Sequence, residues 1–243
     1  MTTIIVLGDR DERYLTHREI DATLALLPTG VDGGWVETDG AAARDLAGVD
    51  GIWLAPGGPY ADDAAVAAAL DHCLDGTTPF LGTCSGFQYA CLALARRAGV
   101  DAVHAELDPD ADAPLIRPLA CTLYGEERTV TPEHGTIVAD TCGAEPFIGF
   151  HFCGYGLAAE HEAAVERAGA VVSARAPDMG VEAIELPAHP FFVATAFHPQ
   201  VGASSERRLH PLIARFVEHA VAAAGGSRDG FNGAAHLRRA ICG

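Results

Sequence analysis

Positive charge is scarce in this chain. Lys plus Arg number 16 against 33 Asp plus Glu, a formal net charge of −17 over 243 residues, and no basic stripe offsets it. Phosphate backbones and anionic lipid surfaces are bound through such cations, so neither nucleic acid nor membrane is an expected partner. Paired cysteine motifs are missing as well. The seven cysteines, at positions 73, 84, 91, 121, 142, 153 and 242, are odd in number, scattered, and contain no C-x-x-C. That usage fits a reducing compartment and argues against a disulfide framework or a zinc site. No apolar run is long enough to span a bilayer, and Met1 leads straight into β-branched residues without a cleavable signal. A soluble cytoplasmic protein with no cofactor and no metal is the expectation.

What is present is an alternation of strand-like and helix-like segments. Thr3–Leu7 is a short β-branched run, and Tyr14–Leu27 follows with Leu15, Ile20, Leu24 and Leu27 at helical spacing. Trp35-Val36 is a weak strand and Ala41–Ala47 a short helix. Gly51–Ala55 is a buried strand that stops at Pro56-Gly57-Gly58-Pro59, before a helix over Asp62–Leu74. Phe80–Gly82 is then a strand that feeds a helix over Ser85–Arg97. This order implies an α/β fold with a mostly parallel sheet and helices on both faces, and ligands at the carboxyl ends of its strands.

From about Asp101 to Pro146 the pattern changes. An acidic loop, Asp108–Pro114, precedes strand candidates at Ala120–Leu123, Arg128–Val130 and Thr136–Val138, read as a small antiparallel excursion. The main pattern resumes with a strand at Phe147–Phe152 and a helix at Ala158–Ala168. Strands follow at Ala170–Ala174, Val181–Leu186 and Phe191–Phe197, then a helix at Arg207–Ala224. Residues 1–224 form one expected domain, and 225–243 a polar tail.

The chemistry concentrates at Leu81-Gly82-Thr83-Cys84-Ser85-Gly86, where an apolar run breaks at G-x-C-x-G and passes into a helix. Glycines on both sides permit a tight strand-to-helix turn that holds one side chain exposed and strained, here Cys84. A helix N-terminus favours its thiolate, and free N–H groups there can hold an oxyanion. His198 ends another apolar strand, in Phe197-His198-Pro199-Gln200, so it is the best base. Gln200, two residues on, can accept from the far ring nitrogen through its amide oxygen. Gly58 and Ser85 are the expected oxyanion donors through their backbone N–H groups.

With these pieces placed, the chain resembles the class I glutamine amidotransferase superfamily, and within it the glutaminase domain of CTP synthase. The resemblance rests on Ala55-Pro56-Gly57-Gly58, Leu81–Gln88, Val181–Val193, Phe197-His198-Pro199 and His210-Pro211-Leu212, in that order. It implies the flavodoxin-like amidotransferase fold and places Gly57 and Gln88 beside the substrate. CTP synthase carries an ATP-dependent synthetase domain ahead of this region, and none is expected here.

Two departures bear on the site. The family's triad ends in Glu where this chain has Gln200, and a neutral amide stabilises an imidazolium less than a carboxylate does. Counting back from Ala168-Gly169, the family's Arg-Tyr-Glu motif falls on Gly154, Tyr155 and Gly156, so the arginine that clamps the glutamine carboxylate is missing. Glu106 sits where the resemblance places a second substrate-binding Glu. His151 and Cys153 flank the emptied position and are read as lining a reshaped pocket. The expected function is a cysteine hydrolase of an amide or related acyl C–N bond, acting on a small molecule other than free glutamine. The alternatives are a glutaminase subunit supplying a separate synthetase, with Arg117 or Arg13 replacing the clamp, and an inactive binding module.

Overall fold

The structure is a computed structural model that describes residues 1–40, 43, 45–177 and 180–240, with side chains described as far as Gly226. Among the described residues, nine strands form one sheet in the order β2-β1-β3-β4-β9-β8-β7-β5-β6. Its first half is parallel: β1 (Thr2–Leu7), β2 (Val31–Val36), β3 (Gly51–Leu54), β4 (Phe80–Thr83) and β9 (Phe192–Thr195). The second half is antiparallel and consists of β8 (Gly180–Glu185), β7 (Val171–Ala176), β5 (Ile116–Pro132) and β6 (Phe147–Leu157). The connections of the parallel half include α1 (Leu15–Leu24), α2 (Asp63–Asp75) and α3 (Ser85–Arg97).

The central parallel strands β3, β4 and β9 are buried along their whole length because both faces are covered. Successive side chains point to opposite faces, and the core divides accordingly. Ile5, Leu7, Ile52, Leu54, Phe80, Phe192 and Ala194 join a cluster with residues of α2 and α3. Ile4, Val6, Trp53, Leu81 and Val193 face the other way, against Leu212, Ile213, Phe216 and Ala220 of α7 (Pro211–Ala240). Each fully buried Leu, Ile or Phe of these layers stabilises the fold by about 1.5–3 kcal/mol. Phe80 and Phe192 stack across β4 and β9 with ring centroids 4.4 Å apart, tying together the two strands that lead to Cys84 and His198.

Several local expectations are revised. Ala120–Leu123 and Arg128–Val130 belong to one long strand, β5, whose register against β6 shifts twice, between Pro118 and Leu123 and between Tyr124 and Glu126. Thr136–Val138 is not a strand. Thr136 instead caps the helix α4 (Ile137–Cys142), its hydroxyl accepting from the Ala139 N–H, while Glu185 takes the Ile137 N–H at 2.9 Å. Capping outweighs the β preference of these branched residues. The helix expected over Ala158–Ala168 is a 3-10 turn at Ala159–His161 followed by α5 (Glu162–Arg167). A short helix, α6 (Ala203–Glu206), lies between β9 and α7. Helix α7 continues past Gly225-Gly226, neither of which takes a positive φ that would end it, so the segment read as a tail begins inside a helix. The helix expected at Ala41–Ala47 lies partly outside the described residues.

Candidate active site

Three neighbouring parallel strands deliver their carboxyl ends to one edge. β3 is followed by Pro56-Gly57-Gly58, β4 by Cys84, and β9, through Ala196-Phe197, by His198. Thr83 of β4 lies opposite Thr195 of β9, and the Cys84 N–H donates to the Thr195 carbonyl at 2.8 Å. The two reactive side chains therefore leave adjacent strands at the same level. From the antiparallel half, β6 meets them: the His198 N–H donates to Phe150 O at 2.8 Å, and the Cys84 sulfur lies 3.6 Å from Phe152 O.

Cys84 has φ 54° and ψ −105°, a backbone conformation that L residues rarely adopt. The turn is held by close backbone approach on either side. A Cβ added to Gly86 would lie 2.4 Å from the Leu54 carbonyl oxygen, and one added to Gly82 would lie 2.8 Å from Gly86 O. Only glycine fits either position, which explains the spacing in physical terms.

The Cys84 thiol is held well below its ordinary pKa although it is buried. The neighbouring Cys153 side chain is the largest cause, and the charge of His198 and the Ser85 backbone N–H act in the same direction. Cys153 is pushed up correspondingly, as the partner that keeps its proton. The other buried cysteines of the core go the opposite way from Cys84, with burial raising Cys73 to about 12.

Behind His198, Gln200 is fully buried with its side-chain nitrogen 3.1 Å from His198 Nδ1. His198 Nε2 and Gln200 Oε1 have no protein partner. The two orientations of this amide give different chemistry. With the NH2 group toward Nδ1, the ring proton must sit on Nε2, and Nε2 cannot act as a base. With Oε1 toward Nδ1, the amide accepts the Nδ1 proton and leaves the Nε2 lone pair for Cys84.

The oxyanion donors are arranged less simply than the sequence suggests. The Gly58 N–H donates to the Ser85 hydroxyl at 2.8 Å, so a substrate oxygen must displace that hydroxyl to use it. The loop carrying Gly58 is pinned from below, where His17 Nε2 donates to Pro56 O at 2.9 Å and His17 Nδ1 accepts the Asp11 N–H at 2.9 Å.

A cavity of about 350 Å³ opens over these groups. It brings together Gly57, Gly58, Cys84, Ser85, Gln88, Glu106, Cys153, Gly154, Tyr155 and His198, all read from the sequence. His151 is not among its lining residues. It is fully buried on β6 and pairs with Glu182 at 2.8 Å, with its other ring nitrogen 3.1 Å from Gly149 O. The reading of His151 as a pocket residue is thus corrected: Glu182 on β8 draws the ring down into the sheet.

The sequence reading missed Tyr14, Thr16, Tyr124 and Phe152, which also line the cavity, and His104 behind it. Gln88 donates to Tyr155 O at 3.0 Å and accepts from His104 Nε2 at 3.0 Å, while His104 Nδ1 accepts the Glu106 N–H at 3.1 Å. This chain works only with a neutral ring, and burial lowers the His104 pKa to about 4. No local signal marks His104, because its role depends on a glutamine sixteen residues away in another element.

Residues 18–218 match the family described as Glutamine amidotransferase class-I. The chain belongs to that family. Among curated amidotransferase relatives, CTP synthase from Staphylococcus aureus is 32% identical over 204 residues, covering 77% of this chain. The chain spans only 38% of the length of that relative. The amidotransferase fold is shared with the Trypanosoma brucei CTPS glutaminase domain solved with bound acivicin, at a TM-score of 0.77 and 22% identity, over 91% of this chain and 94% of that one. A glutamine amidotransferase from Thermotoga maritima aligns at a TM-score of 0.58 and 13% identity, over 93% of this chain and 85% of that one. Among the described residues, no helix is long and apolar enough to cross a membrane.

Proposed function

We propose that the protein is a cysteine amidohydrolase that cleaves an amide or related acyl C–N bond of a small molecule other than free glutamine. The observation that carries this reading is the Cys84 thiol, held well below its ordinary pKa in a cavity that it shares with His198. A merely structural cysteine is buried and inert, as Cys73 and Cys91 are.

In the reaction, the Cys84 thiolate attacks the acyl carbon. The developing oxyanion takes the Gly58 N–H, displacing the Ser85 hydroxyl, and the Ser85 N–H. His198 passes a proton from Nε2 to the leaving nitrogen, and the C–N bond breaks to leave a thioester. Water then attacks, His198 accepts its proton, and the acid leaves as Cys84 is restored. Gln200 positions His198 throughout.

A glutaminase that feeds a separate synthetase needs a cation for the substrate carboxylate. Arg13 is bound to Asp11 and Arg117 to Glu160, and neither lines the cavity. A panel of primary amides tests the main reading by ammonia release. Release from at least one amide, lost in Cys84→Ala, supports it; a Cys84 unreactive toward iodoacetamide, or turnover that survives Cys84→Ala, overturns it.

A further inference from the structure

The chain contains no lysine, so all sixteen of its basic residues are arginines. Among the described residues, no arginine lines the cavity over Cys84. Arg10 and Arg13, on the loop leading to Tyr14, are bound to Asp21 at 2.8 Å and Asp11 at 2.5 Å. Arg18 is turned onto the carbonyls of Glu12 and Arg13. A carboxylate entering the cavity meets no counter-ion, and it approaches both the Cys84 thiolate and the Glu106 carboxylate. Like charges at such range repel, and an unpaired buried carboxylate is costly.

The opposite charge is provided for. Glu106 is the lining residue with a carboxylate, and that carboxylate has no hydrogen-bond or ion-pair partner among the described residues. Its backbone is fixed by His104, so it is anchored without being neutralised. Partial burial and the nearby Cys84 thiolate push its pKa up, the response of a carboxylate that lacks a cation. At Gly154, which lines the same cavity, a side chain would begin against the Tyr124 hydroxyl, 3.2 Å from an ideal Cβ. Tyr124 sits opposite Phe152 across the β5–β6 pair, with ring centroids 5.1 Å apart. Both rings are partly open, at 60% and 39% exposure, so they are wall and not core. Aromatic faces beside a carboxylate attract ammonium groups and offer nothing to a carboxylate.

Resting on the amidohydrolase reading above, we infer that the substrate is an amide whose far end carries an ammonium group and no carboxylate. The amide carbon reaches Cys84 while the ammonium lies between Glu106 and the Tyr124–Phe152 wall. Hydrolysis forms the S–C bond, breaks the C–N bond with a proton from His198, and uses one water to release an amino acid and ammonia.

Glutamine stripped of its α-carboxylate, 4-aminobutanamide, is the matching probe, with butanamide and glutamine as controls. The expected kcat/KM for 4-aminobutanamide exceeds that for either control by tenfold or more. Glu106→Gln narrows its lead over butanamide, and Gly154→Arg shifts the ratio toward glutamine. Protection of Cys84 from iodoacetamide gives a readout independent of turnover: 4-aminobutanamide slows alkylation and glutamine at equal concentration does not. Equal or better use of glutamine, equal protection by it, or a lead over butanamide untouched by Glu106→Gln overturns the inference. Absence of ammonia from every amide despite selective protection overturns the hydrolase reading and leaves the ligand class standing.

Discussion

The Gln200 side chain lies 3.1 Å from Nδ1 of His198 with both residues buried, so the ring proposed as the base is oriented by a group that carries no charge. A carboxylate at that place can accept the Nδ1 proton in only one way, whereas the amide can also donate and trap the inactive tautomer. Gln200→Glu removes the ambiguity and stabilises the imidazolium that forms during attack. The expected result is a rise in kcat of about tenfold or more on whichever amide is turned over, measured by ammonia release. The same change buries a charge whose partner is His198 alone, so the denaturant midpoint should fall, by on the order of 1–3 kcal/mol.

The Cys153 thiol, pushed upward itself, is the largest of the influences that lower the Cys84 pKa. Cys153→Val deletes that thiol at nearly constant volume, and Cys153→Ser retains a donor. The rate of Cys84 alkylation by iodoacetamide, followed across pH, should show its midpoint displaced upward by about one unit or more in the valine variant, equivalent to about 1.4 kcal/mol. The serine variant should stay closer to the parent. Indistinguishable profiles for all three would mean that the thiol contributes packing only.

The elbow stores strain at Cys84, whose φ of 54° and ψ of −105° suit glycine. Strain of this kind is worth about 1–3 kcal/mol. Both Cys84→Gly and Cys84→Ala remove the nucleophile and abolish hydrolysis. They differ in backbone freedom, so the glycine variant should be the more stable by about 1–2 kcal/mol, several degrees in Tm by calorimetry for a domain of this size. An alanine variant as stable as the glycine one would show that the turn carries no strain.

The parts of the site that rest on local backbone rules were legible in the sequence. G-x-C-x-G marks the elbow because Gly82 and Gly86 touch backbone, and a strand end marks His198 because β4 and β9 are adjacent parallel strands. That Gly154 lines the cavity was expected by counting from Ala168-Gly169. Long-range pairing was not. Tyr124 meets Phe152 on a short stretch between two register shifts in β5, which no alternation pattern reports. His151 and Cys153 share a strand face, as period-2 alternation requires, yet Glu182 captures one and the cavity takes the other. Likewise the Ser85 hydroxyl on the Gly58 N–H depends on a side-chain rotamer that sequence spacing does not set.

Acid should weaken the fold through buried neutral histidines. Burial lowers His104 and His210 from 6.5 to about 4. A histidine whose folded pKa is depressed takes up protons more readily when unfolded. Its contribution is therefore intact above pH 6.5 and is lost as pH falls toward 4. Burial also lowers His17 and His189, which add to the loss, while Glu185 acts in the opposite sense because burial raises its pKa and protonation relieves it. For His104 the contribution is on the order of 2 kcal/mol after allowance for partial solvation. Denaturant midpoints at pH 7 and pH 4.5 should differ less in His104→Gln than in the parent, because glutamine bridges Gln88 and Glu106 without titrating. Equal differences in the two proteins would place the acid sensitivity elsewhere and leave the Gln88–His104–Glu106 chain without a role in stability.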